Sequence, residues 1–324
     1  MKERIKKWWL MSIVLLLAVG MIAGCNTNEE KAESKSSEKT TESGKAFPVT
    51  ITDDAGREIT IEKEPETIVS IQTSPTEIAF ALGLGDKIVG VSDYDNYPKE
   101  VKKIQKVGAQ DINTEVVLSL MPDMAFVTDY HYESHPDILK QLEDAGIKVI
   151  VVGDASSFKE VYQKIEMMGK ATGTEAKAKE IVTEMQDRLA KIKEQAKEVK
   201  DKKKVWVEVA PAPDIYTTGT KTFMHEMLEA IQAVNAAEDH EGWVKLTEEE
   251  IVKLNPDVIV TTYGYYIDDP KKEVLSRQGW AEVPAIKEKQ VFDVENDTVT
   301  RPGPRLIEGV ETLAKFIYPE VFDK

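Results

Sequence analysis

The chain has little of what catalytic centres are usually built from. It contains one cysteine and four histidines in 324 residues, and neither a Cys–His nor a Ser–His–Asp set is evident. No glycine-rich phosphate loop is evident either. With a formal net charge of −16, the chain also lacks the basic balance that favours nucleic acid as a partner. The sequence therefore predicts a protein that is not an enzyme, has no catalytic residues and no cofactor, and does not bind nucleic acid.

The histidines do not predict a metal site. His131 and His135 are four residues apart in a predicted loop, while His225 and His240 lie elsewhere in the sequence. A zinc ion needs several ligands in a fixed geometry, and no third histidine is near the first pair. We therefore interpret these histidines as exposed loop residues and predict no metal ligands.

The first residues are typical of an export signal. After a basic start, the apolar run Trp8–Ala23 is shorter than the roughly 20 residues that a membrane-spanning helix needs. The run ends in Ile22-Ala23-Gly24-Cys25, which resembles the lipobox of bacterial lipoproteins. That resemblance implies a signal peptide over residues 1–24, cleavage before Cys25, and diacylation of its sulfur as a lipid anchor. An ordinary secretory signal with an incidental cysteine is the alternative, but Cys25 is the only cysteine.

Residues 25–45 are predicted to be a flexible tether. The segment after Cys25 is rich in Ser, Thr, Glu and Lys, and it has no aromatic or branched aliphatic side chain. Such a segment cannot bury enough apolar surface to fold. About 280 residues follow it, which is enough for two domains.

From Phe47 onward, a predicted hairpin is followed by short apolar runs that alternate with helical patterns. Two helices are predicted to begin with capping boxes, Ser74 with Glu77 and Thr172 with Glu175. Alternation of this kind indicates mainly parallel sheets covered by helices. Buried strands are predicted near Ile68–Ile71, Ile88–Val91, Met124–Thr128, Val149–Val152, Val205–Val209, Val258–Thr262 and Val291–Val294.

One helix is predicted to be much longer than the others. No glycine or proline interrupts residues 174–204, and apolar residues recur there at spacings of three and four, from Ala178 to Val199. About 26 helical residues would span roughly 39 Å. We therefore predict an α/β fold in which two Rossmann-like lobes, residues 46–171 and 203–324, are joined by one long rigid helix over residues 172–202.

An internal repeat indicates where the two lobes correspond. The segment Glu115–Thr128 matches Glu249–Thr262, and in both a short helix runs through Pro-Asp into a buried strand. Aromatic residues follow both strands: Tyr130 and Tyr132 after the first, Tyr265 after the second. Ligands of open α/β sheets bind beyond the carboxyl ends of the strands. These tyrosines either line a cleft between the lobes, where they would suit a large flat ligand, or are ordinary surface loop residues.

The chain resembles the helical-backbone class of periplasmic binding proteins, which bind cobalamin, ferric siderophores or haem. The resemblance covers nearly everything from Phe47 onward, and its best segments are Ile68–Gly83, Val89–Pro98 and Arg301–Arg305. It implies a monomeric protein at the extracellular face of the cell membrane. The lobes would hold a small-molecule ligand between them and deliver it to an ABC permease and its ATPase.

Within this class, the chain looks most like the cobalamin binders. The resemblance implies that Tyr94 packs on the corrin ring, that Trp243 faces it from the other lobe, and that Asp297 and Arg301 form a polar pair near the ligand. Two further tryptophans of those binders have no counterpart here, at positions near Ala109 and Thr128. Tyr130 or Tyr132 could take their place, and Tyr265 is a further candidate.

Two glutamates are candidates for docking to the permease. Glu115 and Glu249 occupy the same position in the internal repeat, near the start of a helix. The resemblance implies that matching glutamates on the two lobes meet arginines of the permease. Alternatively, both acids simply complement the positive end of a helix.

The ligand remains open at this stage. A ferric siderophore or haem usually requires several basic residues around an anionic ligand. Arginine is scarce, with Arg301 and Arg305 the notable cleft candidates, which favours a neutral ligand such as cobalamin, although lysines could serve. A secreted α/β enzyme, the third hypothesis, would require a polar catalytic constellation.

Overall fold

Two parallel sheets, one in each half of the chain, organise the structure. The structure is a computed structural model that describes residues 47–323. In the first sheet the strands lie in the order β5-β4-β3-β6-β7, and in the second the order is β10-β8-β12-β13. Every pairing within these sheets is parallel. The strands are β1 Val49–Thr52, β2 Glu58–Ile61, β3 Ile68–Ser70, β4 Ile88–Val91, β5 Gln105–Lys106, β6 Met124–Val127, β7 Lys148–Val151, β8 Lys204–Glu208, β9 Tyr216–Thr218, β10 Val234–Asn235, β11 Trp243–Lys245, β12 Val258–Thr261 and β13 Val291–Asp293.

Helices cover the sheets, as the alternation of patterns predicts. The helices are α1 Thr73–Ala81, α2 Thr114–Leu120, α3 Asp129–Ser134, α4 Pro136–Asp144, α5 Phe158–Thr172, α6 Glu175–Gln195, α7 Phe223–Ala230, α8 Glu248–Leu254, α9 Pro270–Leu275, α10 Pro284–Lys287, α11 Asn296–Thr300, α12 Leu306–Ile317 and α13 Pro319–Phe322. Central strands such as β6 and β12 are buried along their whole length, because helices lie on both faces. The predicted α/β fold of two lobes is confirmed. In residues 47–323, no helix is both long and apolar enough to span a bilayer.

The long helix is α6. Its buried residues Ala178, Ile181 and Met185 belong to a core that reaches the helices of both lobes, and α6 packs against α5 on one side and α12 on the other. At 21 residues it spans about 32 Å, less than the predicted length. After Gln195 the chain tightens into a 3₁₀ turn, Ala196–Glu198, and then becomes extended.

The capping box predicted for Thr172 and Glu175 is wrong. Thr172 is the last residue of α5, and its hydroxyl donates to the carbonyl of Met168. Gly173 then adopts a left-handed conformation at φ 76° and separates α5 from α6. The predicted lobe boundaries near residues 171 and 203 stay a prediction, because the described residues all belong to one compact unit.

The internal repeat is confirmed in detail. The residues after α2 and α8, Met121 and Asn255, both adopt the left-handed conformation. The following aspartates then make matching contacts. The carboxylate of Asp123 accepts the backbone N–H of Thr67, next to β3, at 3.1 Å, and that of Asp257 accepts the N–H of Lys204, in β8, at 2.8 Å. The two lobes are therefore built on the same unit, in which β3-β6-β7 correspond to β8-β12-β13.

The hairpin at the start of the fold is also confirmed. Strands β1 and β2 pair antiparallel, and Asp53 lies in the turn between them. Its Oδ1 accepts the backbone N–H groups of Ala55 and Arg57, while its Oδ2 accepts the N–H of Val151 in β7. Asp53 therefore stabilises the turn and attaches the hairpin to the first sheet.

The leader, Cys25 and the predicted tether lie outside the described residues.

Candidate functional site

A cleft lies between the carboxyl ends of the two sheets. The loops that follow β3, β7 and β13 enclose a cavity of about 230 Å³. Residues from both lobes line it: Gln72, Thr73, Ser74, Pro75, Val152, Gly153 and Asp154 from the first, and Asn296, Asp297, Thr300, Arg301 and Pro302 from the second. This is the place at which open α/β sheets bind ligands.

A buried carboxylate joins the lobes at the floor of this cleft. Glu77, in α1, is 3% exposed. It accepts hydrogen bonds from Arg305 Nε at 2.9 Å and Nη2 at 2.8 Å, and from Arg301 Nη1 at 3.3 Å. Burial lowers the pKa of Arg305, but the bonds and attraction to Glu77 and Glu295 outweigh it, so this pKa lies above its ordinary value.

Further polar contacts extend this network across the cleft. Asn96 of the first lobe donates to Asp297 at 2.8 Å and accepts from Arg301 at 3.0 Å. Asp297 and Arg301 pair with each other at 2.8 Å. The guanidinium of Arg305 also lies 3.8 Å from the ring centroid of Tyr97, a cation–π contact. The predicted polar pair Asp297 and Arg301 is therefore in the cavity wall, where it also ties the lobes together.

The capping box predicted for Ser74 and Glu77 is wrong. Helix α1 begins at Thr73, and its N-cap Gln72 makes no side-chain cap bond. The hydroxyl of Ser74 instead donates to the carbonyl of Pro302, in the other lobe. The side chains of Ser74 and Glu77 therefore do not cap the helix but form hydrogen bonds to the other lobe.

Tyr94 and Trp243 lie on opposite lobes and expose their rings. Tyr94 follows β4 and is 72% exposed, while Trp243 opens β11 and is 57% exposed. Trp243 lines a second cavity between the lobes, of about 330 Å³. The next residue, Asp95, is buried, and its Oδ2 accepts from the Thr76 hydroxyl and the Ser92 backbone N–H. Burial raises the pKa of Asp95 to about 6.

The other candidate tyrosines are exposed but line neither of these two cavities. Tyr130 and Tyr132 belong to α3. The ring of Tyr130 packs edge-on against His131 and His135, and that of Tyr132 lies 5.2 Å from the guanidinium of Arg57 in the hairpin. Tyr132 therefore contacts the hairpin of its own lobe.

Tyr265 is held at the rim of the second lobe. It lies edge-on to Tyr266 at a centroid distance of 4.6 Å. The turn that carries both rings is fixed by Tyr263, whose hydroxyl donates to the buried carboxylate of Glu208 at 2.7 Å. Glu208 in turn pairs with Arg277 at 2.6 Å. Burial, together with Glu208, raises the pKa of Tyr263, so its hydroxyl stays a donor.

The interpretation of His131 as an exposed loop residue is wrong. His131 is 2% exposed and lies in the first turn of α3, where it forms a capping box with Thr128. Its Nδ1 accepts the Thr128 backbone N–H at 3.1 Å, and its Nε2 donates to the carbonyl of Ala109 at 2.7 Å. Burial lowers the pKa of His131. Within residues 47–323, no three His, Cys, Asp or Glu side chains are grouped to hold a metal ion.

Glu115 and Glu249 occupy equivalent exposed positions. Each is the second residue of a short helix, α2 or α8. Each helix runs into the amino end of the next strand, so its own start lies at the carboxyl edge of the sheet, beside the cleft. Capping is performed by other residues, namely Asn113 in α2 and Thr247 with Glu250 in α8. The side chains of Glu115 and Glu249 have no hydrogen-bond or ion-pair partner among the described residues.

The fold and the cleft define a class of protein, and the comparison with known families agrees with it. Residues 68–298 match the periplasmic binding protein family, and the chain belongs to this family. It is therefore a substrate-binding protein of an ABC transporter and not an enzyme. The partners of such a protein are a permease, an ATPase and a small-molecule ligand.

Three relatives show how far the similarity extends. The chain is 51% identical to the uncharacterized ABC transporter substrate-binding lipoprotein YvrC of Bacillus subtilis, over 99% of both chains. It is 29% identical to a cobalamin-binding protein of Halobacterium salinarum, over 83% of this chain and 74% of that one. A solved structure from Staphylococcus epidermidis, described as a possible iron-binding periplasmic solute-binding protein, is 37% identical with a TM-score of 0.71. The match covers 79% of this chain and 100% of that chain.

Proposed function

We propose that this chain captures a corrinoid in the cleft between its lobes and delivers it to the permease of an ABC importer. Tyr94 and Trp243 would pack on the ligand from opposite lobes, with Asp297 and Arg301 contributing polar contacts. Tyr265, and Tyr130 or Tyr132, would add aromatic surface at the rim. The cobalamin-binding relative from Halobacterium supports this choice of ligand.

The pairing of the cleft arginines carries the proposal. Arg301 is bonded to Glu77 and Asp297, and Arg305 to Glu77 and Glu295. Lys221, which lines the second cavity, pairs with Glu241 at 2.7 Å. These cations are already neutralised by acids of the protein itself. An anionic ligand would have to compete with those acids, whereas a neutral ligand would not.

A ferric siderophore or haem is the alternative ligand. The Staphylococcus structure, described as a possible iron-binding protein, favours it. Such a ligand would require lysines that move into the cleft or arginines that exchange their acidic partners.

The same proposal places the protein at the extracellular face of the membrane. Residues 1–24 would be removed, and Cys25 would carry two acyl chains, enough for stable anchoring. The lipoprotein relative from Bacillus supports this. Glu115 and Glu249 would then meet arginines of the permease, because both are exposed beside the cleft and have no capping role to perform.

Ligand titration of the purified full chain tests the proposal. Cyanocobalamin, ferric siderophores and haemin would be compared by calorimetry, with Trp243 fluorescence as a second readout. Once the leader with Trp8 and Trp9 is removed, the other tryptophans, Trp206 and Trp280, are both buried, so a ligand that stacks in the cleft quenches Trp243 first. We expect Trp243→Ala to weaken cyanocobalamin binding by more than about 1 kcal/mol, as an anchor residue does.

Tyr216→Ala is the matched control, because Tyr216 is an exposed aromatic residue on β9, the strand paired with β11. Its affinity should stay near that of the unchanged chain. Failure of cyanocobalamin to bind at high micromolar concentration, together with tight binding of a siderophore, would show that the corrinoid proposal is wrong.

A further inference from the structure

The second cavity of the cleft has walls of opposite hydrogen-bonding character. Its volume of about 330 Å³ is far above the roughly 10–15 Å³ that one water needs. Loop residues after β7 form one wall, and the start of α7 with the β9–β11 ribbon forms the other. The lining consists of Asp154, Ala155, Ser156 and Glu160 on the first side, and Thr218, Lys221, Thr222, Phe223, Met224, Gly242 and Trp243 on the second.

The α7 wall offers hydrogen-bond donors. Thr222 caps the helix, and its hydroxyl accepts the N–H of His225. The backbone N–H groups of Phe223 and Met224 have no partner in the described part of the chain, as is usual in a first helical turn, where the positive end of the helix dipole also lies. Thr218 adds an independent observation: it is 1% exposed, and its hydroxyl oxygen has no hydrogen-bond partner. A buried polar group of this kind calls for a partner.

The opposite wall offers an acceptor, Asp154. The backbone N–H of Asp154 is held by the carboxylate of Asp129 at 3.3 Å, and that of Gly153 by Asp54 at 2.8 Å. Asp54 is itself paired with Lys164 at 2.7 Å. The backbone of this loop is thus held by hydrogen bonds to two carboxylates, while the Asp154 carboxylate itself has no hydrogen-bond partner among residues 47–323. The Asp154 side chain is exposed at the mouth of the cavity, and partial loss of hydration, followed by the charge of Asp129, raises its pKa.

The other charged residues of the lining are already engaged. Glu160 accepts from the backbone and hydroxyl of Ser156, and Lys221 pairs with Glu241. What remains for a ligand is a set of donors on one side and a single carboxylate on the other. A ligand carboxylate would suit the helix start but would be repelled by Asp154. An ammonium group would suit Asp154 but would be disfavoured by the helix start.

We propose that this cavity is a subsite for a primary carboxamide, whose carbonyl accepts from the start of α7 and from Thr218 while its NH₂ donates to Asp154. The inference rests on the proposed function and deepens it. The periphery of a corrin ring carries primary carboxamides, whereas that of haem carries carboxylates. Asp154 is then the residue that admits an amide-bearing tetrapyrrole and rejects an acid-bearing one.

Single amide-to-acid changes in the ligand test this. The full chain would be titrated with cyanocobalamin and with each separated monocarboxylate made by partial hydrolysis of its propionamides. We expect at least one isomer to bind about tenfold more weakly than the parent, since a charged repulsion replaces a charge-assisted hydrogen bond. Asp154→Asn should bring that isomer to within about threefold of the parent. Thr218→Val should weaken both ligands, because a carbonyl and a carboxylate both accept from its hydroxyl.

Asp268→Asn is the matched control. It removes the same charge from an exposed loop residue that lies outside both cavities. The ratio of the affinities for the monocarboxylate and for cyanocobalamin should stay as in the unchanged chain. If cyanocobalamin binds but Asp154→Asn and Asp268→Asn give the same ratio, the subsite is refuted and the corrinoid proposal stands. If cyanocobalamin does not bind the unchanged chain at all, both are refuted.

Discussion

Removing the carboxylate of Glu77 should destabilise the fold more than removing any exposed acid of the same network. Glu77 is 3% exposed and accepts three hydrogen bonds from Arg301 and Arg305, which are 9% and 8% exposed. Breaking a buried ion pair by deleting one partner costs about 3–5 kcal/mol, because the remaining charge is left without compensation. Here Arg301 keeps Asp297 and Arg305 keeps Glu295. We therefore expect the lower end for Glu77→Ala, about 3 kcal/mol.

Glu295→Ala is the comparison that makes this measurement specific. Its side chain is 64% exposed and pairs with the same Arg305, at 3.1 Å. Water can replace this partner, so the loss should be about 1 kcal/mol or less. Urea unfolding of both variants and the unchanged chain, followed by circular dichroism, gives the free energies if the transition slope is unchanged. Equal costs for the two variants, or a cost below about 1 kcal/mol for Glu77→Ala, would refute the reasoning.

Three further outcomes follow from the structure and the proposal. Glu115→Ala and Glu249→Ala together should impair uptake severalfold while changing ligand affinity by less than about twofold; normal uptake by the double variant would remove their docking role. Folding raises the pKa of Asp95 from 3.8 to about 6, so the native state binds this proton more tightly than the unfolded state does. Protonated Asp95 therefore contributes about 3 kcal/mol to stability, and this contribution is lost as the pH rises from about 4 through about 6. Asp95→Asn should therefore gain stability relative to the unchanged chain between pH 4 and pH 7.5, and parallel pH profiles would contradict this. Cys25→Ser should abolish labelling by radioactive fatty acid, and equal labelling would exclude Cys25 as the anchor.

The fold could be predicted because each strand is recognisable from its own short segment of sequence. The sequence predicts β4 at Ile88–Val91, where the structure has it, and the repeat places β6 and β12 correctly. Both faces of these strands are buried, so each is a short continuous apolar run that needs no knowledge of distant residues.

The cleft floor could not be predicted in the same way. Ser74 and Glu77 have the identity and spacing of a capping box, and nothing nearby in the sequence contradicts that. Their partners lie 224 to 228 positions away, in Arg301, Pro302 and Arg305. Asp297 and Arg301 were placed at the cleft only through the resemblance.

His131 was misjudged for a different reason. The sequence analysis assigns the segment after β6 to a loop, and histidines in loops are usually exposed. The signal that was available is local: Thr128 precedes His131 by three residues, the spacing of an N-cap and its partner. A histidine in this position caps a helix only as the neutral ring, because Nδ1 must accept.

The hydrogen bonds across the cleft floor also determine where mechanical work is needed during import. Three contacts join the lobes: Glu77 with its two arginines, Ser74 with Pro302, and Glu226 with the start of α5 at Phe158. We therefore expect only small movements of the lobes when a ligand binds, which solution scattering with and without ligand would show. Spreading the lobes, by contrast, would expose charged groups that have lost their partners. If the chain delivers its ligand as proposed, we expect release to depend on contacts with the transporter that replace these lost partners.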